Sequence, residues 1–176
     1  MTKSGQTIIT VARAPGYPAR GILTIEGRAV PVALGRRGIA VNKREGDEAT
    51  PRGSFQPLRL WWRADRMPRP RTGLPMRRIT RSDAWCENPG DRRYNRAIRL
   101  NDHAKGDRLW REDSLYDLIV EIDHNTHPRV AGRGSAVFVH LARPGLLPTA
   151  GCIAMPRNEL LRLVSQLNLN STIRIV

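Results

Sequence analysis

VFVHLARPGLLPTAGCIAM occupies residues 137–155. Its first three residues, Val137, Phe138 and Val139, form a short β-branched and aromatic run that reads as a buried strand, with His140 at its end. Pro144, Gly145 and Pro148 then make a loop by fixing or freeing backbone φ. The loop closes on Thr149-Ala150-Gly151-Cys152, a corner of small residues that leaves the Cys152 sulfur room to meet another molecule. A cysteine and a histidine brought together across one loop can form an ion pair, in which an imidazolium lowers the thiol pKa and yields a nucleophilic thiolate. Gly151, with no Cβ, permits a tight turn whose N–H groups point at one spot beside the sulfur, as an oxyanion hole requires. Spacing alone does not decide this. A single Cys is more often a small buried hydrophobe, and a single His a hydrogen-bonded structural residue.

The segments around this stretch are strand-like. Residues 7–11 and 21–25 read as strands, and Glu26-Gly27 as a hairpin turn into residues 28–34. Pro31 within that last run calls for an edge position or an irregular strand. Residues 43–53, KREGDEATPRG, read as an exposed loop joining two strands, with Thr50-Pro51-Arg52-Gly53 as a turn. Residues 55–63, with Trp61-Trp62, suggest another strand. Residues 64–82 are crowded with Arg and Pro and read as an extended, solvated insertion near the rim of the site. The other reading is an arginine–aromatic surface that stacks on bases and clamps phosphates. Trp85, Tyr94 and Asn95 are candidates for the wall of a substrate groove, and core filling is the competing reading. Residues 108–113 suggest a short helix or turn, and residues 116–123 the clearest strand. After Cys152, Pro156 suits a first helical position, and Leu160, Val164 and Leu167 make one apolar face. Residues 172–176 close the chain as a strand. The expectation is a mainly β fold with one C-terminal helix.

At 176 residues the chain suits one domain spanning 1–176, with the Arg/Pro-rich insertion at about 64–82. Lys plus Arg number 30 against 16 Asp plus Glu, a net charge of +14 that favours anionic partners. Nucleic acid and anionic wall polymers both fit that charge, and so does simple compositional bias. Two cysteines, Cys86 and Cys152, do not make a disulfide framework, and a nucleophilic Cys152 must be free. His124 and His127 beside Asp123 are followed by Pro128, which favours a loop over a metal-binding helix, so no metal is expected. The N-terminus lacks the apolar core of a secretory signal and no segment is long enough to span a membrane. The expectation is a cytoplasmic protein, or a periplasmic one if the chain is truncated.

Three ordered blocks narrow the function. His140 followed by Thr149-x-Gly151-Cys152-Ile153-x-Met155 resembles the signature of the L,D-transpeptidase (YkuD-type) catalytic domain. Residues 43–55, KREGDEATPRGSF, are similar to that family's EGD-x-x-TP-x-G-x-F segment. Residues 83–89, DAWCENP, followed by Tyr94-Asn95, resemble a segment of one branch, as does the TAGCIAM form itself. The resemblance covers about residues 20–176 and implies a two-sheet β-sandwich without a cofactor. It implies that Cys152 attacks a carbonyl in a peptidoglycan tetrapeptide stem and expels the terminal D-alanine. His140 then shuttles the proton, oriented by a backbone carbonyl near Leu141, and N–H groups around Gly151 hold the oxyanion. An amine from a second stem resolves the thioester in a transpeptidase, water in an L,D-carboxypeptidase. Inhibition by carbapenems is implied in the same way.

This chain departs from the family at Ala150, where many members carry a polar residue, and at Ala154, where many carry an Arg. Thr149 and Ala150 remain candidates to line the substrate site. Arg133, Arg143 and Arg157 are candidates for the substrate carboxylate. The absence of a signal favours hydrolytic use on recycled muropeptides inside the cell. A basic nucleic-acid-binding module with an inert Cys152 is the third reading, disfavoured because it leaves the three blocks without a cause. Oligomeric state is not legible.

Overall fold

The computed structural model describes residues 7–101 and 105–176. Residues 1–6, read above for a leader, lie outside the described residues. Strands β1 (Ile8–Ala14), β2 (Tyr17–Ile25) and β3 (Arg28–Ala33) form a meander. Its second turn, Glu26-Gly27, has φ of 47° and 77°, the paired left-handed geometry whose twist suits a two-residue hairpin. Short pieces follow: β4 (Ile39–Ala40), β5 (Thr50–Pro51) and β6 (Gly53–Phe55), then β7 (Pro57–Trp62) and β8 (Met76–Arg78). Strands β9 (Asp83–Trp85), β10 (Ala97–Arg99) and β11 (Asp107–Arg108) form a separate three-stranded sheet in the order β10-β9-β11. The chain ends with β12 (Leu118–Ile122), β13 (Phe138–Leu141), β14 (Ile153–Met155), helix α1 (Arg157–Gln166) and β15 (Thr172–Ile175).

The main sheet has ten strands in the order β6-β15-β1-β2-β3-β14-β13-β12-β7-β8. The expected sandwich is therefore one hydrogen-bonded sheet whose halves meet through a single residue pair, Ala33–Ala154. Because side chains alternate along strands, one face of each half supplies a common core. It includes Ile9, Val11, Leu23 and Val32 from the first half, Leu118, Val120, Val139 and Ile153 from the second, and Leu160, Leu163 and Val164 from α1. Leu160 is fully buried, so truncating it to Ala would cost about 3 kcal/mol. Pro31 pairs with Ile22 on one side only, since β3 meets β14 solely at Ala33, so the missing N–H breaks no ladder.

The structure corrects several sequence expectations. Pro156 is the N-cap of α1 and not its first residue, and α1 is the single helix among the described residues. Residues 108–113, read as a short helix or turn, take the second form and continue β11 into bends. Residues 43–53 are not an exposed loop: Lys43, Ala49, Thr50 and Pro51 are buried. Residues 64–82 are only partly a solvated insertion: Arg69, Arg71 and Arg78 are exposed, but Met67, Leu74 and Ile79 are buried and β8 extends the main sheet beside β7. Arg66, Arg77, Arg78 and Arg81 face the chain's own tryptophans and carboxylates, while Arg69 and Arg71 are exposed. Arg77 lies over Trp61 (4.6 Å) and pairs with Asp83 (3.0 Å), and Arg81 lies over Trp110 (5.1 Å). No described helix is long and apolar enough to cross a membrane.

Candidate active site

Strand register brings His140 and Cys152 to one face. In β13, Val139 and Leu141 point into the main core, so Phe138 and His140 point to the opposite face. Strand β14 runs parallel to β13 with Val139 opposite Ile153 and His140 opposite Ala154. Cys152, one residue before β14, therefore stands level with Phe138 and diagonal to His140 on the same face. The Phe138 N–H donates to the Cys152 sulfur (3.4 Å), and the thiol donates to the Ala136 carbonyl (3.1 Å). His140 and Cys152 both line a cleft of about 420 Å³.

His140 is held by two contacts. Its Nδ1 donates to the Leu141 carbonyl (2.8 Å), the kind of partner expected from the sequence. Since a carbonyl only accepts, Nδ1 carries the proton and Nε2 is left with a free lone pair. The Tyr116 ring meets the imidazole edge-on at 5.2 Å. The expected Cys–His ion pair is not the resting state. Burial pushes the His140 imidazole down to about 4, the Leu141 hydrogen bond opposing and Arg111 and Arg143 adding to the shift. Burial pushes the Cys152 thiol up to about 12, with Asp107 and Glu87 adding to it and the Phe138 N–H and Lys43 opposing. Both groups are neutral near pH 7, because burial away from water disfavours either charge.

The loop before Cys152 is pinned by Thr149. Its hydroxyl donates to the Cys152 carbonyl (2.6 Å) and accepts from the Gly151 N–H (3.1 Å), and its backbone N–H donates to the Leu34 carbonyl (2.9 Å). Gly151 is thus not a free oxyanion donor, and its value is steric. It sits at φ +142°, and a Cβ there would lie 2.9 Å from the Ala49 carbonyl.

The KREGDEATP block forms the facing wall. Lys43 is buried and hydrogen bonds to the Asp47 carboxylate and the Arg44 carbonyl (2.8 Å). Burial alone would raise the Asp47 pKa, but the hydrogen bonds from Lys43 and from the Arg44 and Ala49 N–H groups hold it below its ordinary value. Glu45 accepts from the Tyr94 hydroxyl and the Ser135 hydroxyl (2.8 Å).

Of the residues singled out from sequence, Cys152, His140, Gly151, Thr149, Ala150 and Arg143 line the cleft. Trp85 and Tyr94 do not. Trp85 is buried edge-on against Trp61 and Phe138, and its Nε1 donates to Asn95 Oδ1 (2.9 Å). Tyr94 is buried and ends on Glu45, so both are core residues that hold the cleft walls together. Arg133 is also outside the lining, its carbonyl accepting from His124 Nε2 (3.1 Å), while Arg157 lies 3.8 Å from Asp117. Ala154 lies in the cleft beside His140. Cys86 is buried with Ala84 and Ile98, and both cysteines are free. Sequence reasoning missed Lys43, Glu45, Glu87, Asp107, Arg111 and Tyr116, all of which line the cleft. The order of the EGD block was a usable signal for the first two, while Asp107 and Tyr116 meet it only through folding, the Tyr116 hydroxyl donating to Asp107 (2.9 Å).

A mainly β scaffold that sets a buried cysteine beside an oriented, neutral histidine is thus in place. Residues 19–175 match the L,D-transpeptidase catalytic domain (YkuD), and the chain belongs to that family, which acts on peptidoglycan peptides. No curated relative matches it. Among solved structures it is similar to an L,D-transpeptidase from Mycobacterium tuberculosis H37Rv (12% identity, TM-score 0.45), covering 97% of this chain and 57% of that one. It is similar to L,D-transpeptidase 3 from Mycobacterium tuberculosis (17% identity, TM-score 0.46, covering 97% and 60%) and to an L,D-transpeptidase from Mycobacterium smegmatis (13%, 0.44, covering 97% and 58%). The chain spans less than two thirds of the length of these structures.

Proposed function

We propose that this chain is a cysteine acyltransferase that forms a thioester between Cys152 and a peptidoglycan tetrapeptide stem. The observation that carries this reading is His140, whose Nδ1 is committed to the Leu141 carbonyl while Nε2 opens into the cleft that holds the Cys152 thiol. With both groups neutral at rest, Nε2 takes the thiol proton as sulfur attacks the carbonyl carbon, so charge develops only along the reaction coordinate. The carbonyl oxygen becomes an oxyanion, for which the Cys152 N–H is the candidate backbone donor, since the Gly151 N–H is bonded to Thr149. The C–N bond then breaks, the imidazolium returns its proton to the departing D-alanine amine, and the acyl group stays on sulfur. A second amine or a water attacks the thioester, with His140 as base again. Arg143, which lines the cleft, is the candidate for the substrate carboxylate in place of the Arg that Ala154 lacks.

The test is mass spectrometry of a disaccharide tetrapeptide incubated with wild type and Cys152→Ala. A dimer that depends on Cys152 supports transpeptidation, and loss of alanine without a dimer supports L,D-carboxypeptidase action. Neither product, together with no carbapenem adduct on Cys152, overturns the thioester reading.

A further inference from the structure

Lys43 is 6% exposed, and burying an ammonium is costly unless it is paired and hydrogen-bonded. Two loops make room for its stem. Gly134 and Gly151 both lie at positive φ, 95° and 142°, and carry no Cβ. A Cβ on Gly134 would stand 3.0 Å from Lys43 Cγ and 3.2 Å from Cε, and one on Gly151 would stand 3.6 Å from Cε. The end of the lysine therefore lies against the residue that precedes Cys152. Its ion pair is one-sided. Lys43 lines the cleft with Cys152 and His140, whereas Asp47 does not. Asp47 is instead held by the Arg44 and Ala49 N–H groups (2.7 and 2.9 Å). An ammonium has three N–H bonds. Among the described residues Lys43 uses two, on the Asp47 carboxylate and the Arg44 carbonyl (2.8 Å).

Thioester formation has a matching gap. It puts a negative charge on the substrate oxygen, and the Gly151 N–H is not available to it, being bonded to the Thr149 hydroxyl (3.1 Å). We propose that Lys43 is a further catalytic residue, whose third N–H joins the Cys152 N–H in holding the oxyanion. This rests on the thioester reading above and adds to it the group that balances the charge. No proton leaves Lys43 in the step. Sulfur bonds to the carbonyl carbon, the carbon–oxygen π pair moves onto oxygen, and His140 holds the thiol proton. The fixed ammonium stabilises the anion until that pair returns and the C–N bond breaks. Because the ammonium is already buried and anchored, it needs no reorganisation when the charge appears. The same charge opposes the burial that pushes the Cys152 thiol up to about 12.

The test separates attack on a carbonyl from reactivity of the thiol. Single-turnover alanine release from a disaccharide tetrapeptide passes through an oxyanion, whereas alkylation by iodoacetamide displaces iodide and forms none. Both rates are measured for wild type and Lys43→Met, with alkylation mapped to Cys152 by peptide mass because Cys86 is also free. Lys43→Met is expected to lower alanine release about 10²-fold, the scale of one oxyanion donor. Alkylation is expected to fall no more than about fivefold, since Lys43 acts on the thiol only through space. Lys43→Gln, which can keep a hydrogen bond to Asp47 without the charge, serves if Lys43→Met does not fold, and should lower alanine release at least about tenfold. Unchanged alanine release in either folded variant overturns the inference. So does a parallel fall in alanine release and alkylation, which would make Lys43 a support of the thiol alone. Wild-type protein that releases no alanine and takes up no carbapenem overturns the thioester reading and this inference with it. That result is distinct from wild-type release that survives the loss of Lys43.

Discussion

The sheet edge at β7–β8 and the cleft are both rich in charge, and they use it in opposite ways. At the edge, several charges are matched. Arg66 reaches Asp117 (2.9 Å), Arg63 reaches Asp65 (2.8 Å) while lying 3.5 Å over the Trp110 ring, and Arg77 bridges Trp61 and Asp83. Guanidinium groups suit this, since they are planar, weakly hydrated and able to stack. In the cleft, burial holds His140 and Cys152 in their neutral forms. At the edge, by contrast, Arg63, Arg66 and Arg77 are engaged by the chain's own rings and acids.

The contrast can be broken by substitution. Cys152→Ala should lower alanine release by at least about 10³-fold, the scale of losing a nucleophile, and leave thermal stability close to wild type. Retained turnover would separate the cleft from the chemistry.

The buried neutral His140 makes a pH prediction. Its folded pKa of about 4 lies below the ordinary 6.5, so the unfolded chain binds the extra proton first and stability is lost as pH falls from 6.5 towards 4. At about 1.36 kcal/mol per pH unit the full effect is about 3 kcal/mol. Urea denaturation at pH 7 and pH 4 should show this slope for wild type and a shallower one for His140→Gln. Equal slopes would mean that His140 is not buried neutral.

At the edge, Arg66→Ala should cost about 2 kcal/mol in urea denaturation by depriving the buried Asp117 carboxylate of its nearest cation, with Arg157 at 3.8 Å giving partial relief. In the cleft, Arg143→Ala should change stability by less than about 0.5 kcal/mol while lowering kcat/KM on a tetrapeptide about tenfold. A stability loss at Arg143 as large as that at Arg66 would erase the distinction between the two regions.

Much of the fold was legible from local pattern. Alternation in residues 116–123 and 137–141 placed their strands, and Leu160 and Val164 placed the helix face, with Leu167 lying just beyond it as the extended C-cap, because side-chain period is a backbone property. His140 at a strand end and Cys152 behind a small-residue corner were legible for the same reason. Trp85 and Tyr94 were misplaced because an aromatic ring reads alike in a groove and in a core until its neighbours are known. The KREGDEATP block was misread as exposed because a charged run looks solvated until Lys43 is seen against Asp47 and Glu45 against Tyr94 and Ser135.

The sequence by itself determined which residues are strand, loop and helix, and which thiol and imidazole are close enough in the chain to meet. Only the tertiary structure decided their charge state and which arginines pair with which carboxylates. Periodicity is set within a few residues, whereas desolvation and ion pairing depend on what segments distant in the chain bring to the same place.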